Sequence, residues 1–264
     1  MLDLKRFTTL LLDMDGVLYR GKLPLPGVAD LLDLCDARGI QYACVTNNAT
    51  KTPQQFSERL AAMGITMPAD KIVTSSTVTR RWLETAAPRG TGVFCIGMDG
   101  LRGALFGDEY FVEDETNPAF VVVGMDFEVT YQRLRTACLL IRAGARFVGT
   151  NPDTTFPAED GIVPGCGALL ALLRAGSETE PFVIGKPGPT MFTSTVAALA
   201  ADPARTLTVG DRLDTDIAGS AAAGLASVLV LTGVTTPAAL AASVLQPDAV
   251  FADLPALTAA WRSA

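Results

Sequence analysis

The chain has 264 residues, 49% of them hydrophobic and 19% charged, and its 21 Lys and Arg against 28 Asp and Glu give a formal net charge of -7. That length can bury a sizeable core, as one large domain or as a domain carrying an insertion, and the composition is that of a folded soluble protein. The acidic balance disfavours nucleic acid as a partner. No run approaches a membrane span and no apolar leader precedes the first charges, so no membrane association is expected and the expected location is cytoplasmic.

Histidine is absent. This excludes Ser-His-Asp and Cys-His nucleophiles, H-E-x-x-H zinc sites and phosphohistidine chemistry. Five scattered cysteines (Cys35, Cys44, Cys95, Cys138, Cys166) form no C-x-x-C pair, which argues for reduced thiols rather than a disulfide framework or structural zinc.

In chain order, "FTTLLLDM" reads as a buried strand that ends on Asp13 and Asp15, with Gly16 directly behind them. A helix follows around 27–38, with Val28, Leu31, Leu32 and Cys35 on one face and Gly39 as its stop. "IQYACVT" is the next strand. "TPQQFSERLAAMG" then carries helix-start signals at Thr52, Pro53 and Gln55 and a stop at Gly64. Residues 83–180 hold strand candidates "GVFCIG", "AFVVVGMD" and "ARFVGTN" and the helix "TYQRLRTACLLIRAG", and read as an inserted second α/β domain. The same alternation resumes over 181–264 in "PFVIGKPGP", "TLTVGD" and "ASVLVLTG", each followed by a helical segment. Such alternation predicts βαβ units and a doubly wound, mostly parallel α/β sheet, assembled from 1–82 and 181–264.

Four polar signatures each follow a predicted strand: "DMDG" at 13–16, "TNN" at 46–48, "GKPGP" at 185–189 and "GDRLDTDI" at 210–217. Parallel strands would gather them at one edge of the sheet, where such folds bind ligands. Asp13 and Asp15, two apart in extended backbone, share a face, and Asp211 with Asp214 and Asp216 would join them. Crowded carboxylates call for a hard cation, and an all-oxygen ligand set makes Mg²⁺ the expected cofactor. The Thr46 hydroxyl, the turn at Asn47 and Asn48 and the charge of Lys186 suit the oxygens of a phosphoryl group.

Plainer readings stand beside these. Lys186 alone reads equally as an exposed loop charge, Asp214 as a helix-start acid, and Asn151 and Asp153 equally as turn formers or substrate contacts. "PGCGALLALLRAG" imitates a dinucleotide-binding loop, but it lacks the third glycine and a preceding strand, and it reads as a helix start.

With these motifs in place, and with "VTNNATKT" at 45–52 and "GTNPDTTFPAEDGIVPGCG" at 149–167, the chain resembles the haloacid dehalogenase superfamily. Within it the likeness is to the type IIA branch, the NagD-like or p-nitrophenylphosphatase-like proteins. The resemblance implies a Rossmann-like core with an α/β cap and a phosphatase of small phosphomonoesters. It makes Asp13 the nucleophile that becomes an aspartyl phosphate, and Asp15 the general acid. Mg²⁺ would be bound by Asp13, the Asp15 carbonyl and Asp211, with Asp216 ordering its waters. Thr46, Asn47 and Lys186 would hold the phosphoryl group, and the cap would contact substrate within 151–167, with Asn151 and Asp153 as candidates. Asp214 where the branch often has glutamate, and Ala49 after the asparagines, are mild departures. A phosphotransferase or mutase, and a non-catalytic phospho-ligand regulator, are the alternatives. A homodimer also stays open, since relatives include dimers joined through their caps.

Overall fold

A computed structural model describes residues 2–158 and 161–263, and its chain divides into two units. The first comprises Met1–Thr46, Pro53–Val73 and Lys186–Ala264. Its sheet has the order β15-β14-β13-β1-β4-β5, with β1 at Thr9–Leu12, β4 at Gln41–Thr46, β5 at Ile72–Thr74, β13 at Thr206–Gly210, β14 at Ala226–Val230 and β15 at Ala249–Phe251. β1 pairs in parallel with both β4 and β13, and β13–β14 and β14–β15 are parallel as well. Every residue of β1 and β13 is buried, as expected of strands covered on both faces. The order runs outward from β1 in both directions, so the carboxyl end of β1 is the switch point of the sheet.

Helix α1 (Val28–Arg38) lies between Gly27 and Gly39, both left-handed with φ of 82° and 64°, conformations that cost glycine little. It packs with α10 (Leu254–Ser263), where Leu31, Cys35, Leu257 and Trp261 share one buried cluster. Helices α2 (Pro53–Ala62), α7 (Thr190–Ala198), α8 (Ala218–Ala222) and α9 (Pro237–Ala242) complete the unit. A short antiparallel hairpin, β2 (Tyr19–Arg20) and β3 (Leu23–Pro24), follows β1.

The second unit comprises Asn47–Thr52 and Thr74–Gly185. Its sheet has the order β12-β9-β8-β6-β7, from β6 (Gly92–Ile96), β7 (Val112–Glu113), β8 (Phe120–Val123), β9 (Arg146–Gly149) and β12 (Phe182–Val183), all paired in parallel. Strands β10 (Thr155–Ala158) and β11 (Gly161–Pro164) form a separate antiparallel pair. The helices are α3 (Ser75–Ala86), α4 (Asp99–Phe106), α5 (Tyr131–Arg142) and α6 (Cys166–Ser177). The glycine-rich "PGCG" stretch thus opens a helix. Phe94, Val121, Ile141, Phe147 and Leu173 centre the core.

Two boundaries differ from the sequence expectation. The unit starts at Thr74 rather than 83, because Thr74 caps α3 through the Thr77 N-H while Thr77 caps back, leaving no break inside that helix. "PFVIG" is not a strand of the first sheet: Phe182 and Val183 pair with Val148 and Gly149. The sheet change falls at Lys186, and a two-residue strand is too short for hydrophobic pattern alone to assign it to a sheet.

Candidate active site

Asp13 follows β1 directly, and its N-H donates to Val209 O at 2.9 Å, continuing the ladder to β13. The chain then turns: Leu18 N donates to Met14 O and Gly16 N to Tyr19 O, each at 2.8 Å, with Gly16 at φ 85°. This turn carries Asp15, which is exposed and bridges to Tyr19 in backbone pairing. Thr46 closes β4 and is buried, and Asp211 follows β13. The strand-end placements inferred for Asp13, Asp15, Thr46 and Asp211 therefore hold within the first unit.

Lys186 is 2% exposed, and its Nζ donates to Asp13 Oδ1 and to Asp216 Oδ1, each at 2.6 Å, and to Val45 O at 3.1 Å. It is no loose surface charge. Desolvation alone would pull the ammonium down, but the two carboxylates outweigh it and hold its pKa above the usual lysine value. Asp216 is brought back to the site by a wide turn over Leu213–Ile217, in which Ile217 N bonds Arg212 O. Its second oxygen accepts from the N-H groups of Asp211 and Arg212 at 3.3 and 3.1 Å. Asp214 points elsewhere and pairs with Arg212 at 2.8 Å, where the guanidinium holds its carboxyl below the ordinary value.

Asp211 is buried, and its Oδ2 accepts the Val234 N-H at 2.6 Å, while its Oδ1 is buried with no hydrogen-bond partner. A β-carbon at Gly16 would stand 2.5 Å from Asp211 Oδ2, and one at Gly233 would overlap the carboxylate. Two glycines thus form the cradle of this side chain. One oxygen each from Asp13, Asp211 and Asp216 lie within 4.8 Å of one another. An orphaned buried carboxylate oxygen is costly, and an oxygen-only donor set beside it fits a hard divalent cation. Desolvation, with Asp216 repulsion second, pushes Asp211 up to about 6 even against the Val234 bond. Burial also raises Asp13, opposed by Lys186 and helped by Asp216 and Asp211. Asp15 rises through desolvation, with Arg59 and then Arg20 pulling the other way.

Asn47, Asn151 and Asp153 belong to the second unit. Asn151 is 5% exposed; its Nδ2 donates to Asn47 O at 2.9 Å and to Thr150 Oγ1 at 3.3 Å, and its Oδ1 accepts from Asp153 N at 3.2 Å. Asn47 Nδ2 donates to Asp153 Oδ2 at 3.2 Å, and Ser75 Oγ donates to Asn47 O at 2.6 Å. Ser76 and Gly100 hold Ala49 O and Thr50 O in the same way. One Asn151 N-H thus braces the Asn47 loop, while its other bonds hold its own loop at Thr150 and Asp153. Residues 159 and 160 of the expected substrate loop lie outside the described residues. The cradle glycine Gly233, the Val234 N-H and the braces Ser75 and Ser76 were not singled out from sequence. Only the glycine after "VLVLT" offered a signal.

A family model for haloacid dehalogenase-like hydrolases matches residues 10–109, and a second, HAD-hydrolase-like model matches 183–257. The acid sugar phosphatase of Staphylococcus saprophyticus is 35% identical over 251 residues, covering 95% of this chain and 96% of that protein. The 4-nitrophenylphosphatase of Thermotoga maritima superposes with a TM-score of 0.92 at 35% identity, over 97% and 98% of the two chains. The glycerol phosphate phosphatase of Mycobacterium tuberculosis, crystallised with magnesium, gives 0.88 at 34% identity, over 96% of this chain and 77% of that one. With relatives of that identity along nearly its whole length, the chain belongs to the haloacid dehalogenase superfamily, in its type IIA, p-nitrophenylphosphatase-like branch of phosphatases.

Proposed function

We propose that the protein is a Mg²⁺-dependent phosphomonoester hydrolase of small phosphorylated metabolites that works through an aspartyl phosphate on Asp13. The observation that carries the reading is the orphaned Asp211 Oδ1 beside an Asp13 carboxylate held by buried Lys186. A sugar phosphatase, a nitrophenylphosphatase and a glycerol phosphate phosphatase among the relatives support the substrate class.

Asp13 and Asp211 would supply carboxylate oxygens for the cation, and the Asp15 carbonyl a further oxygen. The cation, when bound, draws charge from the phosphoryl oxygens and lowers the repulsion between the phosphate and Asp13. Asp13 attacks phosphorus; the bond from phosphorus to the ester oxygen breaks, and that oxygen takes its proton from Asp15. Asp15, now a carboxylate, takes a proton from water as the water oxygen attacks phosphorus. The bond from phosphorus to the Asp13 oxygen breaks as the bond to water forms, so inorganic phosphate leaves and the Asp13 carboxylate is regenerated. Thr46 and Lys186 meet the equatorial oxygens, and the Lys186 ammonium offsets the charge that spreads over them. Asp216 keeps that ammonium in place.

Phosphate release from p-nitrophenyl phosphate, glycerol phosphate and a panel of sugar phosphates, with and without chelator, tests the reading. Turnover that requires Mg²⁺ and vanishes in Asp13→Asn, with the circular dichroism spectrum unchanged, is expected. Full activity in Asp13→Asn would refute the nucleophile.

A further inference from the structure

Asp15 has no rigid element under it; it sits on the turn that joins β1 to the β2–β3 hairpin. The pose of its carboxylate therefore depends on what holds that hairpin. One side is tied by Thr232, whose Oγ1 donates to Gly16 O at 2.6 Å and whose carbonyl accepts from the Arg20 guanidinium. The other side is tied by Arg59, which projects from α2. Its guanidinium carbon stands 4.7 Å from the centre of the Tyr19 ring, and its Nη2 donates to Gly21 O at 2.9 Å. Tyr19 is 2% exposed and accepts the Gly16 N-H on its carbonyl. A cation that lies over a buried ring while donating to the hairpin tip ties the hairpin to α2 at two points, which the single ammonium of a lysine does less well.

We propose that Arg59 is a positioning residue for leaving-group protonation: through Tyr19 and Gly21 it sets the turn from which Asp15 reaches the ester oxygen. The proposal rests on the phosphatase reading above and adds a residue outside the four signatures. A misplaced proton donor harms esters unequally. A nitrophenolate departs without a proton, whereas the alkoxide of glycerol phosphate needs one, and general acid catalysis is worth about 10²–10⁴-fold where it is needed.

The test compares kcat/KM for glycerol phosphate and for p-nitrophenyl phosphate in the Mg²⁺-loaded wild type, Arg59→Ala, Arg59→Lys and Asp15→Asn. Arg59→Ala is expected to lose about tenfold or more on glycerol phosphate and under about threefold on the nitrophenyl ester, with Lys restoring part of the difference. Equal losses on both esters, or no loss on either, overturn the proposal. Should Arg59→Ala fail to fold, Arg59→Lys alone decides: a selective loss on the alkyl ester supports the assignment, and an even loss refutes it. Asp15→Asn separates the two layers. If it too lacks the selective loss, the acid assignment has failed; if it shows the loss and the Arg59 variants do not, only Arg59 has.

Discussion

Gly233 and Asp211 are in such close contact that any β-carbon on the glycine would overlap the carboxylate. The missing side chain defines where Asp211 aims, and Gly233 has no strained φ that would call for glycine on its own account. Gly233→Ala is therefore expected to keep the fold and turn Asp211 away. By analogy with losses of supporting residues around metals, the Mg²⁺ concentration for half-maximal activity should rise about 10–100-fold. A metal titration of activity, with melting temperature as the control for folding, checks this.

Lys186→Met should leave Asp13 and Asp216 buried without their shared cation. Breaking a buried pair from one side costs about 3–5 kcal/mol, so metal-free Lys186→Met is expected to unfold at markedly lower urea. Turnover should fall by on the order of 10²-fold or more, from the lost charge at the transition state. Urea titration and steady-state kinetics are the measurements.

The burial of Asp211 makes metal-free stability depend on pH. Its folded pKa, about 6, is above the ordinary 3.8. The folded chain therefore holds this proton more tightly than the unfolded chain does. The contribution is fully present below about pH 4 and is lost as pH rises through about 6. Asp211→Asn removes that component, so the stability difference between metal-free wild type and variant should shift against wild type between pH 4 and 7. Added Mg²⁺ should reverse the loss at pH 7 and do little at pH 4. Denaturation midpoints at four pH values decide it.

Asn151→Ala removes the brace on Asn47 O and frees the Asp153 N-H. If Asn151 acts by holding the Asn47 loop, KM should rise by a similar factor for every phosphomonoester. A direct substrate contact would instead change the ranking among them. KM values across a panel of five esters distinguish the two.

The ends of β1, β4 and β13 were legible because a carboxylate or hydroxyl just past an apolar run has few structural excuses. Asp13, Asp15, Thr46 and Asp211 could thus be placed from the chain alone, whereas Asp214 and Asp216 stood equally close behind Asp211 and only the family resemblance singled out Asp216. Lys186 was harder. Its neighbours in sequence read equally as a loop, and the other signatures and the resemblance made it a phosphate ligand; its burial against Asp13 and Asp216, 173 and 30 residues away, had no local signal. The membership of Phe182–Val183 in the second sheet and the bracing of Asn47 by Ser75 and Asn151 had no local signal. Pairings across such distances depend on packing, and pattern reading sees only neighbours. Arg59 was hidden for a further reason: on an amphipathic helix, an arginine is indistinguishable from an ordinary solvated charge.

The wide turn at Leu213–Ile217 is an α-helical turn with one residue too many. Removing any single codon there would restore regular winding and rotate whatever follows by about 100°. Where the lost residue precedes Asp216, that carboxylate would swing off its lysine. This short stretch is thus intolerant of length change even where it tolerates change of side chain. Single-residue deletions at 213–215, which precede Asp216, are expected to abolish phosphate release.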